Sequence, residues 1–252
     1  MLQLNGKHIF IAGGSRGIGA AAARTIAAAG GAVSLSYRTE ENAANALVAE
    51  IQHGGGKAAA WKADVTDEMA LRTAMQSAVS EFGPLDGLVV SAGIFEGASL
   101  QEMTVDFWER TMSINVRGTF LCVKTAVEQM RAEGEGGSIV IYASTAGQRG
   151  SAGYSAYATS KGAQIMFMRS MALELAPDKI RVNCIAPAWT ETDMAHDSLE
   201  SLGRDKVAAS FPLGRIGQPQ DVAGATAFLL SDMAAFITGS TVTVDGGMDM
   251  RG

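Results

Sequence analysis

Residues 7–19 read KHIFIAGGSRGIG. The apolar run Ile9 to Ala12 stops at two glycines, and an alanine-rich helical segment opens at Gly17-Ile18-Gly19, so the stretch reads as strand, glycine turn and helix. In that setting backbone N–H groups and a helix N-terminus face an anionic pyrophosphate with no Cβ atoms in the way. Gly13, Ser15, Arg16, Gly17, Ile18 and Gly19 are therefore candidates for dinucleotide binding; the plainer alternative is a purely structural turn.

The same rhythm continues outward. AVSLSY, KAAAWKA, LDGLVVS, SIVIYAS, IRVNCIA and TVTVDG read as further strands. Between them, helices are expected at about 40–54, 67–82, 100–133, 155–176 and 219–231, following the first at 17–30. Alternating strands and helices give a parallel sheet covered on both faces. With right-handed crossovers this is a single-domain α/β Rossmann fold over residues 1–252, a doubly wound seven-stranded parallel sheet with ligands at the carboxyl ends of the strands. About thirty residues, 189–217, break the rhythm, and long connections of that kind are usually functional. They are read as a lid over the substrate, against a poorly ordered surface insertion.

Composition narrows the function. Twenty Lys and Arg against 26 acids give a net charge of −6, so nucleic-acid binding lacks its electrostatic footprint. No run of apolar residues is long enough to span a bilayer and no secretory leader is apparent, so a cytoplasmic protein without membrane contact is expected. Cys122 and Cys184 fall in apolar stretches and read as buried reduced thiols. No metal site is assigned.

At the end of the second strand, where an acidic residue would favour NAD, the chain has Tyr37 and Arg38. Arg38 with Arg16 can grip a 2′-phosphate through charge-assisted hydrogen bonds, so NADPH is expected over NADH; ordinary solvated charges are the alternative. Asp64 and Val65 end the third strand and can meet the adenine edge, or Asp64 can simply cap its turn. Tyr157 and Lys161 stand four residues apart in SAYATSK, with Ser144 thirteen residues upstream. On a helix that spacing puts phenol and ammonium on one face, where the cation can lower the phenol's pKa and poise it for proton transfer.

Taken together these residues resemble the short-chain dehydrogenase/reductase superfamily along essentially the whole chain. The family pattern is matched in order by Ala12 to Gly19, Ser91-Ala92-Gly93, Asn115, Ser144, Tyr157 with Lys161, and Pro187-Ala188. PLGRIGQPQDVA and ITGSTVTVDGG look most like the 3-oxoacyl-acyl-carrier-protein reductase branch. Ala12, Ser91 and Ala188 depart from the usual Thr, Asn and Gly. The resemblance implies reversible ketone reduction by a nicotinamide cofactor, with Tyr157 as acid, Ser144 holding the carbonyl oxygen, Lys161 on phenol and ribose, and Asn115, in a locally distorted helix, anchoring a water that resupplies protons.

It also implies cofactor contacts from Ser91, Ala92, Gly93, Pro187, Thr190 and Thr192, the last favoured for the carboxamide; a hydroxyl serving only its own turn is the alternative. The substrate pocket is expected from Ala146, Gln148, Arg149, Tyr154, Trp189 and Met194. The first reading is an NADPH-dependent ketoreductase acting on a small or medium ketone, ketoester or cyclic ketone, as a homotetramer. The alternatives are a 3-oxoacyl-acyl-carrier-protein reductase, for which Arg131 and Arg169 could supply a basic patch, and a non-catalytic NADPH-binding sensor or scaffold.

Overall fold

A computed structural model describes residues 2–133 and 135–250. Each apolar run is a strand: β1 (His8–Ala12), β2 (Ala32–Tyr37), β3 (Ala58–Lys62), β4 (Gly87–Val90), β5 (Gly137–Tyr142), β6 (Ile180–Pro187) and β7 (Thr241–Val244). All pair in parallel in the order β3-β2-β1-β4-β5-β6-β7. Successive residues point to opposite faces, so each strand feeds two cores. Phe10, Leu88, Ile139, Ile141 and Val182 pack with helices α3 (Glu68–Phe82), α5 (Gly118–Glu133) and α7 (Ser155–Glu174). Ile9, Ile11, Val33, Leu35 and Val140 pack with α1 (Gly17–Ala28), α2 (Glu41–His53) and α10 (Pro219–Leu230). This is a single α/β domain of Rossmann type.

The order places β1 between β2 and β4, so the chain crosses over after β3 and leaves a crevice at the carboxyl ends of β1 and β4. Ala12 braces that crevice with its backbone: its carbonyl accepts from Ser91 N at 2.9 Å and Ala92 N at 2.8 Å. Gly13 must be glycine there, because its φ is +78° and a Cβ would lie 2.7 Å from Ala92 Cα.

Three segments differ from the sequence expectation. The region expected as one helix over 100–133 is a turn, then α4 (Val105–Met112) capped by Thr104, a π-helical segment (Ser113–Arg117) that is the distortion expected at Asn115, then α5. After Ser144 comes a short helix, α6 (Thr145–Arg149), whose five residues are too few to show a period. The 189–217 segment holds two helices, α8 (Asp193–Leu202) and α9 (Arg204–Ser210), packed around Ala195, Leu199, Val207, Phe211 and Ile216. That small core, which also receives Trp189 and Met248, makes the segment a folded part of the domain, not a poorly ordered insertion.

Both cysteines are free and buried. Among the described residues no helix is long and apolar enough to cross a membrane, and no cluster of His, Cys, Asp and Glu is arranged to hold a metal.

Candidate active site

A cavity of ≈ 350 Å³ opens at the crevice, and most of the residues singled out from sequence line it. On the cofactor side these are Gly13, Ser15, Arg16, Gly17, Ile18, Tyr37, Arg38, Asp64, Val65, Ser91, Ala92, Gly93, Pro187, Thr190 and Thr192. The N-cap of α1 carries no side-chain cap and its first turn has no acid, so the N–H groups and helix dipole there are open to an anion. Gly17 has φ +57°, and a Cβ on it would meet Thr192 Cγ2 at 3.4 Å, so the glycine turn and the 189–217 segment meet at the cavity. These residues fit a dinucleotide.

Gly19 does not line the cavity. A Cβ there would sit 2.6 Å from the Gly13 carbonyl oxygen and 2.8 Å from Ser91 Oγ, so its role is close packing of α1 against the turn. Three polar residues on the wall already serve local structure. Asp64 Oδ1 accepts from Thr66 N at 2.9 Å and Thr66 Oγ1 at 2.8 Å. Thr190 donates to the Ala188 carbonyl at 3.0 Å, and Thr192 caps α8 by accepting from Ala195 N at 3.3 Å. Arg16 lies 4.0 Å from the Asp193 carboxylate, whereas Arg38 forms no ion pair among the described residues.

The deeper half is formed where β5 and α7 meet. Ser144 ends the β5 stretch and caps α6, its Oγ accepting from Ala146 N at 3.1 Å; α7 brings Tyr157 and Lys161 opposite it, and all three line the cavity. The expectation that Lys161 lowers the phenol's pKa needs correction for this state. Burial pushes the Tyr157 phenol up to about 12, opposed by the neighbouring Ser144 hydroxyl, and burial brings the Lys161 ammonium down to about 8. The reason is geometric. Lys161 Nζ lies 5.6 Å from the Tyr157 ring centroid and donates to the Tyr142 carbonyl at 2.8 Å and to Gln164 Oε1 at 3.0 Å.

Asn115 sits in the π-helical segment, fully buried and outside the cavity wall. Its Oδ1 accepts from Ile94 N at 2.8 Å, while Nδ2 donates to the Ile94 carbonyl and to Ser160 Oγ, both at 3.0 Å. The side chain thus ties the loop after β4 to α7.

Of the expected substrate residues, Ala146, Arg149, Trp189 and Met194 line the cavity. Gln148 does not: its amide is turned to β7, donating to Thr243 Oγ1 at 3.2 Å. Tyr154 lies one layer back, stacked on Phe95 with centroids 4.7 Å apart and planes 4° from parallel. Phe95 itself lines the cavity and was not anticipated. It meets Tyr157 edge-on at 4.8 Å and Trp189 at 5.6 Å, so an aromatic wall faces the phenol. Its one sequence signal is nearness to Ser91-Ala92-Gly93, since an isolated aromatic in a loop carries no period. Arg149 is paired with Asp249 at 2.8 Å, so the cation expected in the pocket is locally neutralised.

Comparison with known proteins identifies the family. The family model described as enoyl-(acyl carrier protein) reductase matches residues 12–249. An L-rhamnose 1-dehydrogenase (NAD(P)(+)) from Sphingomonas is 38% identical, over 98% of this chain and 98% of its own. A 3-oxoacyl-(acyl-carrier-protein) reductase from Synechocystis is also 38% identical, over 99% and 100%. The crystal structure of a dehydrogenase/reductase from Sinorhizobium meliloti superposes with TM-score 0.91 at 38% identity, over 98% and 97% of the two chains. The chain belongs to the short-chain dehydrogenase/reductase family. It is an oxidoreductase of the kind that acts on CH–OH groups with a nicotinamide cofactor.

Proposed function

We propose that the chain is an NADPH-dependent ketoreductase that interconverts a small or medium ketone, ketoester or cyclic ketone and its secondary alcohol. The observation that carries this is the convergence of Ser144, Tyr157 and Lys161 on the cavity whose far end holds the glycine turn, Arg16 and Arg38. The bound cofactor supplies the hydride that reaches the carbonyl carbon. Tyr157 donates its phenolic proton to the oxygen as charge develops there. Ser144 gives the same oxygen a second hydrogen bond; loss of one such preorganised donor typically costs about 2.7–4 kcal/mol of transition-state stabilisation. Lys161 uses two of its three N–H groups on Tyr142 and Gln164, leaving the third for the cofactor ribose.

The aromatic wall and the Arg149–Asp249 pair favour a largely apolar substrate, with the 189–217 flap closing over it. The exposed apolar side chains Phe120, Met166 and Leu173 on α5 and α7 suit the expected homotetramer, and the cytoplasm is the place expected from the sequence. Similarity to the Synechocystis reductase supports the carrier-protein reading as the alternative. Against it, Arg131 is engaged by Asp178 at 2.7 Å, which leaves Arg169 as the basic residue proposed for that face. Calorimetric titration with NADPH and NADH, followed by a ketone panel including a 3-oxoacyl thioester with and without its carrier protein, tests the proposal. Tight NADPH binding with turnover of free ketones supports it; strictly carrier-dependent turnover promotes the alternative; NADPH binding with no turnover leaves a sensor.

A further inference from the structure

Gln164 stands three residues after Lys161 on α7, on the same helix face, and is 1% exposed. Both of its amide N–H groups and its carbonyl oxygen are engaged. Oε1 accepts from Lys161 Nζ at 3.0 Å, while Nε2 donates to the Asn115 main-chain carbonyl at 2.8 Å and to Thr119 Oγ1 at 2.6 Å. Chemistry fixes the amide's orientation, since an ammonium only donates and a carbonyl only accepts. The Asn115 carbonyl also accepts from the Thr119 hydroxyl at 2.7 Å, so both of its lone pairs are taken. The resemblance places a proton-supplying water on Asn115; here that carbonyl is filled by protein.

We infer that Gln164 is the positioning residue for Lys161, a neutral bridge from the ammonium to the Asn115 carbonyl that takes the place of the relay water in this chain. The inference rests on the ketoreductase reading for its catalytic meaning, although the bridge itself does not. An amide cannot hand a proton from its nitrogen to its oxygen without losing its resonance, so the bridge holds Lys161 without reprotonating it. Lys161 is then reprotonated only from its cavity side, where its remaining N–H faces the cofactor ribose. The residue type is specific: Leu or Met offers no acceptor, and Glu sets an anion against the Asn115 carbonyl. The titratable groups facing Lys161 are Tyr157 on its own helix and the Cys184 thiol on β6, whose burial pushes it up to about 12; the π-helical side contributes the neutral Asn115, with Thr119 from α5 beside it.

The test uses the full-length chain as Gln164→Met and Gln164→Glu, with the Lys161 amine followed by nitrogen NMR and assigned through Lys161→Met. Loss of one hydrogen bond to a charged group should lower the amine's midpoint by about one pH unit or more in Gln164→Met. A carboxylate at that position should raise it, so each variant is informative if the other fails to fold. With cofactor and an alcohol substrate, the pH profile of kcat/KM departs from the parent's in Gln164→Met and kcat falls roughly tenfold or more, as expected when a positioned charge is released. KM for the ketone stays within about twofold, since Gln164 lies outside the cavity and does not contact substrate. Unmoved midpoints in both variants, with a pH profile that superposes on the parent, overturn the inference. An amine midpoint that shifts in a protein with no turnover of any ketone upholds the bridge and removes the ketoreductase reading.

Discussion

Replacing Gly13 by alanine separates the geometry of the cofactor turn from the ordinary cost of a left-handed residue, provided Gly55→Ala is measured beside it. Gly13 and Gly55 have nearly equal φ, +78° and +82°, yet an added Cβ meets Ala92 Cα at 2.7 Å in the first and nothing within 4 Å in the second. Gly55→Ala therefore carries only backbone strain of about 1–2 kcal/mol, partly offset by a stiffer unfolded chain. A net of about 1 kcal/mol lowers Tm by roughly 2–4 °C in a chain of this size. Gly13→Ala adds overpacking against backbone that cannot rotate away, about 1–3 kcal/mol more, for a total near 3 kcal/mol and a fall of roughly 6–12 °C. It also pushes apart the loops after β1 and β4, so NADPH affinity should drop at least about tenfold, whereas Gly55→Ala leaves it unchanged. Thermal melts by circular dichroism and cofactor titration read both effects. Equal losses of Tm, or unimpaired NADPH binding by a folded Gly13→Ala protein, refute the reasoning.

Arg38→Ala should weaken NADPH by about tenfold or more, as loss of a charge-assisted phosphate contact does, while NADH binding changes little; equal weakening of both cofactors contradicts the 2′-phosphate assignment. Lys161 titrates near 8 in the folded chain against an ordinary 10.5, so burial of its ammonium costs stability at neutral pH and the cost is relieved as pH rises between those values. Urea denaturation at pH 8 and pH 10 should show the parent gaining relative to Lys161→Met, by roughly 3 kcal/mol at most over the whole window; a constant difference would count against a buried ammonium. Phe95→Ala should raise KM for an aromatic ketone several-fold more than for acetone, because it removes the ring facing Tyr157 and Trp189. Identical KM changes for the two ketones would show that the ring does not contact substrate.

The sheet was readable because its signals are local and repeated: short apolar runs, glycine stops and alanine-rich helices between them. The glycine turn and the Tyr157–Lys161 spacing were readable for the same reason, since each needs only a few neighbouring residues. What escaped is set by tertiary contact. The distortion around Asn115 was expected only through the family resemblance, because the segment has ordinary helix formers on both sides and its π-helical form is tied to buried bonds with Ile94, Ser160 and Gln164. Gln164 was not singled out from the sequence, because only the fold brings Asn115 and Lys161 within reach of its two ends. The two flap helices did leave a trace, since Thr192 and Gly203 are ordinary start and stop residues, but the mixed polarity of residues 193–210 hid the small core between them. The direction of the Tyr157 pKa shift was misjudged because spacing gives proximity to Lys161 but not where the ammonium points or how much water is removed.

The most direct test of the account compares the parent with Tyr157→Phe, following loss of the reduced nicotinamide's absorbance in the presence of a ketone the parent turns over. The account predicts turnover lowered by roughly a hundredfold or more, the usual contribution of a positioned acid, with NADPH affinity unchanged. Turnover by Tyr157→Phe within a few-fold of the parent would contradict it.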